Sequence, residues 1–142
     1  MTAQEIKKAW EQMKKEIKKE TGIYGGFTMN QKQIKNRTAT YCICNVIPYE
    51  EEIAQCKSTD EKVQGYDTWT ETEKANSHEH AMNTIKRYQE KLAKYGTKEN
   101  EAEMVTKEII NSKAFQKFQK AVGVTDWNIE QMDICYYIRF NY

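Results

Sequence analysis

The sequence predicts an α+β fold, one domain over residues 1–142 with three to four helices packed on a small, mainly antiparallel sheet. Three observations lead there. First, Met132, Ile134, Tyr136, Ile138, Phe140 and Tyr142 alternate with Asp133, Cys135, Tyr137, Arg139 and Asn141. Period two over that length means a strand with one apolar face. Second, Ile6, Trp10, Met13 and Ile17 recur at four, three and four, a single helical stripe. Third, Ala81, Ile85, Tyr88, Leu92 and Tyr95 repeat that rhythm, so long helices accompany the strands.

In chain order, Thr2 and Glu5 form a capping box that opens the first helix, and Thr21-Gly22 closes it. A strand is expected around Phe27 to Ile34, then a turn at Lys35-Asn36-Arg37. The β-branched and aromatic run from Thr38 to Ile47 reads as a second strand, closed by Pro48. Residues 48–73 carry eight acidic and two basic residues, a local charge of −6 in a chain of net charge +1. A structureless connection of that length is uncommon in a compact domain. A short helix at Tyr49 to Cys56 and an edge strand at Val63 to Thr70 are the elements expected there. The long helix runs from about Thr72 to Tyr95 and stops at Gly96. Thr97 caps the next helix, with stripe Ala102, Val105 and Ile109. Phe115, Phe118 and Val122 fall out of phase with that stripe, so Ser112 opens a separate helix, which Gly123 ends. Trp127 leads into the final strand.

The chain has one leucine, but nine tyrosines and three tryptophans supply the apolar area that aliphatic residues do not. With a net charge of only +1, this composition describes a folded, aromatic-rich domain rather than a disordered one. No apolar run reaches the roughly 18 residues of a membrane helix, and the charged amphipathic start does not read as a secretory signal. Four unevenly spaced cysteines make no disulfide framework, so a reduced, cytoplasmic setting is expected.

Chemistry-bearing motifs are sparse. His78 and His80 lie within the helical pattern, where residues two apart point about 200° apart. His78 is then expected to continue the apolar stripe and His80 to face out, which leaves no metal pair. Cys42 and Cys44 share a strand face, but an extended Cys-x-Cys spaces its sulfurs too widely for a zinc knuckle. With Cys56 and Cys135 they read as small buried hydrophobes. No phosphate-cradling glycine loop is present. The expectation is therefore a protein without catalytic residues, metal or cofactor; a metal- or thiol-dependent enzyme is the alternative these cysteines and histidines keep open.

Two surfaces qualify for binding. Tyr49, Glu50, Glu51, Glu52, Tyr66, Asp67 and Trp69 combine aromatic anchors with negative charge, a pattern suited to a protein partner such as a nuclease or another protein with a basic groove. Lys86, Arg87, Lys91, Lys94 and Lys98, with Tyr88 and Tyr95 among them, are the alternative, a helix face for direct nucleic-acid binding. Lysine greatly outnumbers arginine, which counts against base-specific reading.

The compact size, the Lys-, Asn- and Tyr-rich composition and the acidic stretch from Glu50 to Glu73 together resemble small accessory proteins of phages and mobile elements. Anti-CRISPR and other anti-defence inhibitors belong to that class. The resemblance implies a non-enzymatic protein that occupies a partner's surface. The class shares no common fold, so it implies no site residues. Oligomeric state is left open by the sequence.

Overall fold

The computed structural model describes residues 1–44, 46–62 and 65–142. The chain divides into two compact units, one formed by Met1–Val46 with Ala102–Tyr142, the other by Ile47–Glu101. Among the described residues, six α-helices and a four-stranded antiparallel sheet make it an α+β protein. No described helix is long and apolar enough to cross a membrane.

In the first unit, α1 (Ala3–Thr21) opens with the Thr2–Glu5 capping box and buries Ile6, Trp10, Met13 and Ile17, the stripe expected from spacing. The sheet contains β1 (Phe27–Thr28), β2 (Thr38–Cys44), β3 (Asp126–Met132) and β4 (Cys135–Asn141), in spatial order β1-β2-β4-β3. β2 pairs with β4 along its whole length, from Thr38 opposite Asn141 to Cys44 opposite Cys135. Arg37 and Tyr142 close the end of this ladder: the Arg37 guanidinium Nε–H donates to the Tyr142 main-chain oxygen at 2.8 Å, and the Tyr142 amide donates back to the Arg37 carbonyl at 3.0 Å.

Register places Ala39, Tyr41 and Ile43 on the same face as Phe140, Ile138 and Tyr136. Helices α1 and α6 (Lys113–Val122) cover that face. Trp10 is fully buried and meets Phe27, Phe118 and Phe140 at ring-centroid distances of 5.7, 5.4 and 6.5 Å. Phe115 meets Phe140 at 5.0 Å. This aromatic cluster is the core, and it replaces the leucines that the chain lacks. The stripe of α5 (Lys98–Asn111) buries Ala102, Val105 and Ile109. The phase slip at Asn111-Ser112 separates α5 from α6, and the Ser112 hydroxyl accepts from the Phe115 amide at 3.1 Å.

Three expectations are corrected here. The segment after Phe27 is a strand for two residues only. Asn30 and Gln33 then form a reciprocal capping box, with both bonds at 2.8 Å, and that opens α2 (Gln31–Lys35). The turn at Asn36-Arg37 stands, with Arg37 at φ 59°, but it leaves a helix rather than a strand. The run from Met132 to Tyr142 is not one strand: Asp133, at φ 52°, starts a two-residue turn that ends β3 and begins β4. Positive φ in a two-residue loop is what hairpin turns require. Ile138, Phe140 and Tyr142 are buried as the alternation requires, whereas Met132 and Ile134 are exposed.

Gly26 is a position that admits no side chain. It sits at φ 69°, and a Cβ there would lie 2.7 Å from the Cys42 carbonyl oxygen. Its own carbonyl accepts from the Cys42 amide at 3.0 Å, so the close approach is part of the sheet edge.

The second unit contains α3 (Tyr49–Lys62), a 3₁₀ turn (Tyr66–Thr68), α4 (Glu71–Tyr95) and the first turn of α5. The helix expected at Tyr49 to Cys56 is present and longer. The edge strand expected at Val63 to Thr70 is absent over its described part. Gly65, at φ 85°, admits a tight 3₁₀ turn there instead, and Val63 lies outside the described residues. α4 spans the expected range, with Ile85 buried and Ala81, Tyr88, Leu92 and Tyr95 half-buried. His78 is exposed rather than part of that stripe, because the first two turns of α4 stand largely in solvent.

Candidate protein-binding surface

The seven residues of the acidic-aromatic set separate into an interior group and a surface group. Tyr49 is fully buried, and its phenol donates to Glu101 Oε2 at 2.7 Å. Burial first, and the Glu101 carboxylate second, hold that phenol far above its ordinary pKa. Glu52 is 5 % exposed and accepts from Lys98 Nζ at 3.0 Å, and Lys98 is itself only 6 % exposed. The Lys98 ammonium also lies 5.0 Å from the Tyr49 ring centroid and 5.4 Å from that of Tyr88. Lys91 Nζ meets Glu101 Oε1 at 2.8 Å. Tyr88 hydrogen-bonds Glu52, and burial together with that carboxylate raises its pKa.

These contacts form one paired network among α3, α4 and the start of α5. Each buried charge has an opposite charge within hydrogen-bonding distance, which is the condition for keeping ions in an interior. Tyr49 and Glu52 therefore hold the unit together and are not open to a partner.

Glu50, Glu51 and Asp67 are exposed, and Tyr66 and Trp69 are half-exposed. Glu50 and Glu51 sit in the first turn of α3, where negative charge is stabilised by the unpaired amides of the helix end. Tyr66 and Trp69 are brought together by the 3₁₀ turn, with ring centroids 5.2 Å apart and planes at 56°. Lys74 Nζ lies 5.0 Å from the Tyr66 ring. Two rings fixed against each other lose little rotamer freedom on binding, so they are suited to act as anchors.

The basic set also divides. Lys98 is buried and Lys91 is ion-paired to Glu101. Lys86, Arg87 and Lys94 remain exposed on α4, and Lys94 lies over the Tyr95 ring at 5.1 Å. Glu90 is four residues from both Lys86 and Lys94, so helical spacing places a carboxylate within the exposed cations. That reduces the positive field a phosphate backbone would meet.

Cys42 and Cys135 lie on the sheet face away from the aromatic core, and the register sets Cys44 opposite Cys135. Cys56 belongs to α3 in the other unit. Cys42, Cys56 and Cys135 lie outside any disulfide. The Cys42 thiol first, and the Cys135 thiol second, hold the adjacent Tyr137 phenol above its ordinary pKa. Among the described residues no group of three His, Cys, Asp or Glu side chains is placed to hold a metal ion.

One surface escaped the sequence reading. β3 is an edge strand on which Trp127 and Ile129 are exposed. The alternation of Trp127 and Ile129 with Asp126, Asn128 and Glu130 was the available signal. It was masked because the apolar phase slips from Trp127 and Ile129 to Met132 and Ile134 with no Gly, Pro or Asn-Gly to mark a turn. No protein-family model, curated protein or solved structure matches the chain.

Proposed function

We propose that the protein acts by binding a partner protein through Glu50, Glu51, Tyr66, Asp67 and Trp69, without turning over a substrate. The observation that carries this reading is the half-exposed Tyr66–Trp69 pair, its rings in contact at a tilt, with the exposed Asp67 between its members in sequence. Rigid aromatic anchors bordered by carboxylates match a partner with a basic, partly apolar groove. A nuclease or another nucleic-acid-binding protein has such a groove. The reading is consistent with the inhibitor class that the composition resembles.

The test is a pulldown from a lysate of the encoding organism with tagged protein, comparing wild type with three variants. The triple change Glu50→Lys, Glu51→Lys, Asp67→Lys and the single change Trp69→Ala are expected to lose the same captured band. Glu108→Lys, an exposed carboxylate on α5, is expected to keep it. A band that survives both surface variants removes this surface from the function. Polarisation titration with a fluorescent DNA oligonucleotide is expected to give no binding at moderate salt. Tight binding that weakens steeply with salt, and is lost on neutralising Lys86, Arg87 and Lys94, would instead make this a nucleic-acid-binding protein.

A further inference from the structure

The cysteines are scattered in sequence, but the sheet register sets Cys44 of β2 directly opposite Cys135 of β4, within one compact unit. Antiparallel partners alternate between pairs that exchange main-chain hydrogen bonds and pairs that do not. Two contacts show which kind this pair is. The Tyr142 amide donates to the Arg37 carbonyl, one step beyond Thr38 and Asn141, so that end pair is hydrogen-bonded. Cys44 lies an odd number of steps further along, so its pair is of the other kind. The Cys42 amide agrees: it donates to Gly26 on the β1 side, so the main chain at Cys42, and again two residues on at Cys44, is turned away from β4. In a non-hydrogen-bonded pair the Cα atoms are only about 4.5 Å apart. A disulfide spans roughly 4.4 to 6.8 Å between Cα atoms, so this pair can be bridged without moving the backbone. Other pairings on this face are less favourable. Cys42 and Cys135 are diagonal neighbours, about 7–8 Å apart. Cys42 and Cys44, two apart on one strand, are about 7 Å apart with parallel Cα–Cβ bonds. Tyr137, opposite Cys42, hydrogen-bonds the thiols of both Cys42 and Cys135, which puts those two on the same sheet face. Cys56 is on α3 in the other unit.

We propose that Cys44 and Cys135 are a reversible redox pair, reduced in a reducing setting and joined as a cross-strand disulfide by a low-molecular-weight disulfide such as oxidised glutathione. The step is two thiol–disulfide exchanges. One thiolate of the pair attacks a sulfur of the reagent and expels one glutathione thiolate, leaving a mixed disulfide. The second thiolate attacks the protein sulfur of that mixed disulfide and expels the other. The cysteine pair loses two electrons and two protons, and the reagent leaves as two molecules of reduced glutathione. Only one cysteine of the pair has to meet the reagent, because the second exchange is internal; this accommodates the burial of Cys135, which is 8 % exposed. The bridge fastens the β2–β4 ladder at the end away from Arg37 and Tyr142, and it closes a loop that contains the whole Ile47–Glu101 unit. This inference is independent of the partner-binding surface on the other unit.

The test is to equilibrate the native full chain in buffers of oxidised and reduced glutathione, alkylate the remaining thiols, and map the peptides by mass spectrometry without reduction. As the buffer becomes oxidising, the alkylated cysteines are expected to fall from four to two, with the Cys44 and Cys135 peptides joined. Dithiothreitol is expected to restore all four. Cys42→Ser is expected to bridge as the wild type does, whereas Cys44→Ser and Cys135→Ser are expected to form no internal disulfide. Tyr137→Cys tests the register itself: it sets a thiol opposite Cys42 at the neighbouring non-hydrogen-bonded pair, and a second bridge is expected there. Circular dichroism melts of the reduced variants establish that they fold. The bridged chain is expected to unfold at a higher urea concentration than the reduced one, because the cross-link restricts the unfolded chain. Four thiols persisting in every buffer, a bridge through Cys42 or Cys56, a disulfide between two chains, or a bridge that forms only in urea would each overturn the proposal.

Discussion

Lys98 is the residue whose role differs most between sequence and structure. In the sequence it is one of five cations on a helical run, and nothing local distinguishes it from Lys94. In the structure it is buried against Glu52, 46 residues away. Burial of a charge depends on where its partner sits, and that partner is not visible in local periodicity. The same holds for Tyr49 and Glu101, 52 residues apart. Removing one member of such a pair leaves a charge without its counter-ion. Lys98→Met is therefore expected to destabilise the Ile47–Glu101 unit by about 3–5 kcal/mol, and the double change with Glu52→Leu to recover most of it. Urea unfolding monitored by hydrogen exchange on α3 and α4 peptides measures both. Tyr49→Phe is expected to cost about 1–3 kcal/mol, because Glu101 loses a buried donor. Tyr49 also sets an alkaline limit. Its folded pKa is raised by burial, so both states are protonated below about pH 10 and its stabilisation is complete there. Above that pH the unfolded phenol ionises first, and stability falls. Thermal melts between pH 9 and 11 are expected to show that fall, and Tyr49→Phe to reduce its steepness.

At the scale of elements, the long helices were legible, whereas the short α2 and the strand ends were not. Each long helix announced itself by a stripe and a marked end: Thr2 with Glu5 for α1, Gly96 for α4, Ser112 for α6. These signals are local, and so is the hydrogen bonding that answers them. The hairpin between β3 and β4 was not legible, because its turn uses Asp133 and Ile134, which continue the alternation of β4. One cap was also beyond local reading. Glu20, at the end of α1, accepts from the Lys113 and Ala114 amides at 2.8 and 3.1 Å and closes the start of α6 from 93 and 94 residues away. A carboxylate on those amides meets both the unpaired donors and the positive end of the helix. Glu20→Ala is expected to cost about 1–2 kcal/mol, read as a lowered denaturant midpoint with an unchanged slope.

At the scale of the whole molecule, the acidic segment and the sheet face different energetic conditions. Among described residues, the apolar side chains buried in the Ile47–Glu101 unit are Tyr49 and Ile85, and the rest of its interior is paired charge. The other unit is closed by the aromatic cluster around Trp10. Local stability follows buried apolar contact, so hydrogen exchange is expected to be faster along α3 and α4 than along α1, β2 and β4. Equal protection throughout would show that the charged network stabilises as strongly as the aromatic one. The −6 segment stood out in composition, but one domain was expected, and the segment's helices could not be told from a solvated loop until their partners were known. The Arg37–Tyr142 ladder end has a further consequence for how the chain comes off the ribosome. Its two residues are 105 apart, so the central strand pair must wait while the intervening helices are made. Of those helices, α3 and α4 pack on each other and are able to associate first. Vectorial synthesis thus allows the Ile47–Glu101 segment to associate before the sheet is complete, and until then β2 has only the two-residue β1 beside it, an open edge that a chaperone would be expected to hold.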